Sequence, residues 1–238
     1  MIRAILALAL LATGCVDDID PEWQLDHDRI IAVRATPPRI PAGAQAEIDA
    51  LIGREGAGPS EEVPPLAMVQ SPMSLAGALQ RDGARYVVTA PDETQLAAAR
   101  TELGLEAGAP VPLVVGVAFP GGSFPSGEIA EGLAAFKTVW LGDTGANPSL
   151  DSVLIGDASP PAGSEVIVSY TGETRMSVDF AETDEINWLT SCGTMHDFDL
   201  PEAYITVEDE DSTEGHLVLV VRLDDGGTSW RVWPARAQ

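Results

Sequence analysis

One order of residues occurs twice in this chain. The apolar-rich, β-type run Arg29–Thr36 is stopped by Thr36-Pro37-Pro38. A turn at Pro41-Ala42-Gly43 then leads into residues 47–52, where Ile48, Ala50 and Ile52 alternate with acidic residues or Leu51. In the second half, residues 152–155 are followed by Ser159-Pro160-Pro161, Ala162-Gly163 and the strand-like stretch 165–170. Paired prolines cannot donate to a sheet ladder and so end a strand. Period-two alternation marks a half-buried strand. A repeated strand, proline stop, turn and strand predicts two related domains in tandem. The seam falls at residues 142–148, Gly-Asp-Thr-Gly-Ala-Asn-Pro, a run of turn formers between apolar segments. Chance recurrence in a proline-rich chain is the competing reading.

The second half reads as strands throughout. In residues 175–180, Met176, Val178 and Phe180 face inward. Residues 186–189 carry Trp188 on a stretch read as a central strand, and 203–207 form a weaker strand. The long β-branched run 216–223 turns at Asp224-Asp225-Gly226-Gly227 and returns through residues 229–233, a hairpin pattern. The first half offers strands at 66–70, 86–89, 111–119 and 136–141. Between them Asp92 caps a short helix over Glu93–Leu103, with Leu96, Ala99 and Leu103 on one face and Gly104 as the stop. Many short strands joined by tight turns predict a mainly all-β chain of tandem β-sandwiches. The first spans 29–145, with a helical insertion near 92–103, and the second spans 150–238.

Composition narrows the function. The formal net charge is −24, more negative by one if Arg3 is removed, and Lys137 is the only lysine. Such a surface repels phosphate backbones, which excludes nucleic acid as a partner. It suits a soluble exterior domain, with attraction of divalent cations as the functional alternative.

The N-terminus has a different character. Met1-Ile2-Arg3, the apolar run 4–12 and Thr13-Gly14 before Cys15 make a secretory signal too short to span a membrane. Leu11-Ala12-Thr13-Gly14-Cys15 resembles the lipobox of bacterial lipoproteins, although Ala12 stands where leucine is commoner. The resemblance implies a cleaved signal peptide over 1–14 and lipidation of Cys15, whose acyl chains form a stable anchor. Val16 in place of Asp then favours the outer membrane. An ordinary signal cleaved nearby, with Cys15 a bystander, is the alternative. Residues 15–28 read as an acidic tether. With Cys15 used as the acyl acceptor, Cys192 has no disulfide partner.

Trp188, the closing hairpin and Trp230 resemble an immunoglobulin-like or PKD-like bacterial domain. Lipobox, acidic tether, Thr36-Pro37-Pro38 and the final Asp225-Gly226-Gly227-x-x-Trp230 resemble surface lipoproteins of myxobacterial type, a family that implies no activity. The immunoglobulin disulfide is absent, so only the architecture carries over.

The catalytic inventory is thin. Gly121-Gly122-Ser123-Phe124-Pro125 begins like a nucleophile elbow but ends in proline. Lys137 follows Phe136 in a strand rather than a phosphate-binding glycine. Cys192 and His196, with His216 by folding, could supply part of a metal site but lack a second pair. The acidic residues 208–214 have oxygens enough for calcium without the EF-hand pattern. The sequence therefore predicts no catalytic residue, no metal and no cofactor. It predicts a lipid-anchored envelope protein, on the periplasmic or surface face, that is a non-enzymatic structural or binding module. Its partners are the membrane through the lipid and a protein or polysaccharide. A hydrolase centred on the first domain and a calcium-dependent adhesion module are the alternatives.

Overall fold

The computed structural model describes residues 21–120, 132–181 and 183–238. Residues 1–14, Cys15 and the glycine-rich stretch 121–125 lie outside the described residues.

The first half contains β1 (Arg29–Thr36), β2 (Arg39–Ile40), β3 (Gln45–Arg54), β4 (Ala57–Glu62), β5 (Leu66–Ser71), β6 (Leu79–Asp82), β7 (Arg85–Thr89), α1 (Glu93–Leu103), β8 (Val111–Phe119) and β9 (Leu133–Leu141). One sheet runs β1-β3-β7-β6, with β4 also on β3, and the facing sheet runs β2-β9-β8-β5. The second half contains β10 (Leu154–Ile155), β11 (Val166–Val168), β12 (Glu173–Ser177), β13 (Glu185–Thr190), β14 (Thr194–His196), β15 (Glu202–Thr206), β16 (Glu214–Arg222) and β17 (Thr228–Ala237). Its sheets run β10-β12-β15-β14 and β11-β17-β16-β13.

These two strand orders are the same order. In each half the opening strand joins one sheet and a short segment then crosses to the other. There it pairs in parallel with the last strand, β2 with β9 and β11 with β17. This is the immunoglobulin-like sandwich, and the chain is mainly β with two of them in tandem. The paired prolines sit at the crossover both times, where the backbone must leave one ladder without an N–H to satisfy.

The repeat read from sequence needs one correction. The Ala-Gly turn follows the crossover segment in the first half and precedes it in the second. Residues 47–52 therefore belong to a central strand, while 165–170 contain the crossover strand. The motif repeats in sequence with a shifted structural register. Gly43 and Gly163 nevertheless do the same job, both at positive φ, 78° and 75°.

Each sandwich has its own core. Val88, Leu113, Val115, Val139 and Leu141 centre the first, and Trp188, Ile205, Leu219 and Trp233 the second. Helix α1 bridges two strands of the first sandwich. The Asp92 side chain accepts from Gln95 N at 2.9 Å, Gly104 closes the helix at φ 68°, and Leu96 and Ala99 are buried, as the sequence predicts. A 3-10 run over Met73–Ala78 and strands β4, β6 and β14 carry no comparable sequence signal.

Two further expectations are corrected. Trp188 is fully buried, but its strand β13 ends its sheet rather than lying in the middle. Within the stretch 15–28 expected as a tether, residues 23–25 instead dock on the second sandwich. Thr190 N donates to Trp23 O at 2.9 Å and Leu25 N donates to Thr190 O at 3.1 Å, so residues 23–25 cap the Thr190 end of the β13 edge, while farther along it Trp188 N donates to Phe198 O at 2.7 Å. Leu25 is buried, because the apolar edge of β13 offers it more than solvent does.

Candidate functional site

The described residues bring their most specific side chains together where the sandwiches meet. Strand β16 carries Leu217, Val218, Leu219, Val220 and Val221, all buried. Leu217, Leu219 and Val221 enter the second core. Val218 and Val220 face the opposite way and meet Ile31 and Ala32 of β1 and Leu51 of β3, with Leu25, Leu189 and Trp230 completing the cluster. The outer face of one sheet from each sandwich is thus an internal face. Removing that apolar surface from water is the main force holding the halves together.

Polar contacts ring this cluster, and the closing hairpin supplies most of them. The sole lysine, Lys137 of β9, reaches across and donates to Gly226 O at 2.7 Å and Thr228 Oγ1 at 2.6 Å. It is 8% exposed, and among the described residues no carboxylate lies in ion-pair range of it. Burial first, and then the nearby Arg222, lower its pKa to about 8. Arg39 Nε donates to Asp225 O at 3.0 Å while its Nη1 holds Asp143 at 2.8 Å. Arg222 donates to Ile31 O at 2.6 Å and to Glu185 and Asn187 on its own sheet.

Trp230 is clamped at the same joint. Its Nε1 donates to Glu61 Oε1 at 2.6 Å, and the Arg34 guanidinium lies 3.9 Å from the ring centroid. Gly226 adopts φ 92°, and a Cβ there would fall 2.8 Å from Trp140 Nε1. The Asp225-Gly226-Gly227-x-x-Trp230 motif is therefore the part of the second sandwich that grips the first. A second close approach joins β4 to β16, where a Cβ on Gly58 would fall 2.5 Å from the His216 ring. Burial there lowers the His216 pKa.

The expected seam is part of this joint. Asn147 Nδ2 donates to Ala35 O at 2.9 Å, its Oδ1 accepts from Thr228 N at 2.9 Å, and Ser229 Oγ donates to Pro148 O at 2.6 Å. Turn residues here form a hydrogen-bonded strap between the sandwiches. Beside the strap and hairpin, a cleft of about 330 Å³ is lined by β1, β9 and the hairpin, with Lys137 and Arg222 in its wall.

The residues weighed for chemistry are scattered. Cys192 is buried in the second core, its pKa raised by burial, with Thr190 Oγ1 accepting from its N–H. His196 stacks on Tyr204 at 4.5 Å and bonds Thr206 on the outer face of its sheet. His216 faces Gly58. Asp209 accepts from the Tyr170 hydroxyl at 2.9 Å, and Asp211 accepts from Glu208 N at 2.9 Å. Among the described residues, no three His, Cys, Asp or Glu side chains converge to hold a metal ion. No helix among them is long and apolar enough to cross a membrane.

No protein-family model matches the chain, and no curated protein matches it. Solved structures do. The two tandem V-type regions of VCBP3, a v-region-containing chitin-binding protein, are 12% identical; the match covers 87% of this chain and 100% of that one at a TM-score of 0.34. The tandem Ig repeats of Dlar are 12% identical over 89% of this chain and 97% of that one, at 0.29. A nucleoside hydrolase-related protein from Saccharophagus degradans is 10% identical over 39% of this chain and 26% of that one, at 0.30. The chain thus spans about a quarter of this last protein. These overlays are loose, and the fold assignment rests on the strand order itself.

Proposed function

We propose that the protein is a lipid-anchored lipoprotein of the bacterial cell envelope, non-enzymatic, whose two sandwiches act as one rigid structural or binding module. The observation that supports this reading is the joint. Apolar faces, the hairpin grip and the Asn147 strap fix the sandwiches against each other, which suits a body that presents surfaces at a set distance from its anchor. A flexible pair of beads would need none of these contacts.

In this reading Cys15 carries the lipid and the protein stands in the outer membrane, offering its loops or sheet faces to a protein or polysaccharide. Cys15 lies eight residues before Trp23, a span of about 28 Å when fully extended. The docking of residues 23–25 on β13 therefore keeps that edge close to the bilayer. Replacing Cys15 tests the anchor. Cys15→Ser should move the protein from the membrane pellet to the soluble envelope fraction, and continued pelleting of the variant after carbonate washing would refute it.

A further inference from the structure

The joint gathers positive charge in a chain that has little of it. Lys and Arg number 13 against 37 Asp and Glu, yet one wall of the cleft between β1, β9 and the closing hairpin holds both Lys137 and Arg222. Glu185 is the carboxylate among the residues lining that cleft, and it is taken up by Arg222 Nη1 at 2.6 Å. Asp225 acts on the Lys137 ammonium from beyond ion-pair range, and its Oδ1 accepts from Gly227 N at 3.0 Å. The β1 wall, residues 30–33, adds no charged group. The lining therefore carries one positive charge in excess.

Lys137 departs from the usual rule that a buried charge is paired with an opposite one. Its ammonium meets two neutral acceptors, Gly226 O and Thr228 Oγ1, which use two of its three N–H groups. Arg222 commits three of its five, to Glu185, Asn187 and Ile31 O. The remaining N–H groups of both side chains meet no acceptor among the described residues. A β-bulge shapes the opposite wall: β1 shifts register between Ile30 and Ala32, and the displaced Ile31 gives its carbonyl to Arg222.

We propose that this cleft binds a small organic monocarboxylate, whose oxygens accept from the remaining N–H groups of Lys137 and Arg222. At about 330 Å³ the cleft lies at the lower end of the range that holds small ligands. One carboxylate cancels the excess charge of the lining, whereas a doubly charged anion brings its second charge against Glu185. Repulsion from the acidic surface is screened beyond about 8 Å at physiological salt, so the two cations in the wall set the sign of the potential inside the cleft. This inference does not depend on the lipid anchor.

The full chain carrying Cys15→Ser, with its lysine labelled with carbon-13 at Cε, is titrated with sodium acetate and with sodium glucuronate. Chloride and phosphate at matched ionic strength are the controls. Lys137 is the only lysine, so a single lysine resonance reports its protonation directly. A saturating carboxylate should raise the Lys137 pKa above its value of about 8, and the controls should leave it in place. Only the ammonium form binds, so carboxylate affinity by calorimetry should be about tenfold weaker at pH 9 than at pH 7. Lys137→Met should weaken it by at least about tenfold at pH 7, as expected for losing a charge-assisted hydrogen bond; if that variant fails to fold, the resonance of the unsubstituted lysine decides alone. A pKa unmoved by both carboxylates overturns the proposal, as does an equal shift with chloride or phosphate, or full affinity in a folded Lys137→Met.

Discussion

Lys137 shows how much one residue's meaning depends on what lies across from it. In the sequence it is a lone lysine after Phe136 and excludes a phosphate loop. In the structure it is the only side chain of β9 that hydrogen-bonds the closing hairpin, and it does so through neutral acceptors. Its pKa of about 8 in the folded protein lies below the ordinary 10.5, so between those values the unfolded chain binds the proton more tightly. Stability attributable to Lys137 is therefore fully present above pH 10.5 and lost as pH falls through 8. The wild type should gain on Lys137→Met by up to about 3 kcal/mol between pH 8 and 10.5, read by denaturant titration at each pH. A constant difference between the two proteins would place the lysine in solvent. Trp230 makes a complementary test: Trp230→Ala should cost about 3 kcal/mol and lower the melting temperature of the whole chain.

At the scale of elements, the local signals were legible and the long-range ones were not. Asp92, Gly104 and the spacings of three and four residues between Leu96, Ala99 and Leu103 specify α1 because cap and face are chemistry between near neighbours. Strands β1, β3, β8, β16 and β17 announce themselves by runs and alternation. Strands β4 and β6 are short and mostly polar, and β14 is three residues around the buried Met195; each pairs with a near neighbour in the chain, but none carries an apolar alternation long enough to mark it. The run 217–221 held more information than alternation alone suggests. A strand apolar at consecutive positions is covered on both faces, and its second cover is the other sandwich. The hairpin makes this testable. Gly226→Ala places a Cβ against Trp140 at a φ that favours glycine and should destabilise the protein by more than about 1 kcal/mol. A neutral result by thermal melting would mean the hairpin does not grip the first sandwich.

For the whole molecule, the joint predicts that the sandwiches unfold together. Calorimetry should show one transition, and a broad-specificity protease should leave residues 142–148 intact under native conditions, since Asn147 and Pro148 are tied to both sides. Two separated transitions, or early cleavage at the strap, would contradict a single rigid body. The sequence alone determined the mainly β character, the tandem of two sandwiches, the strongly negative net charge and the lipobox-like resemblance at Cys15, all properties of composition, period and short motifs. Only the tertiary structure decided that the turn-rich seam is a strap, that residues 23–25 dock at the Thr190 end of β13, and that the Asp-Gly-Gly-x-x-Trp motif grips the other sandwich. Each of these depends on which surfaces face each other after folding, and pairings between residues far apart in the chain leave no local pattern to read.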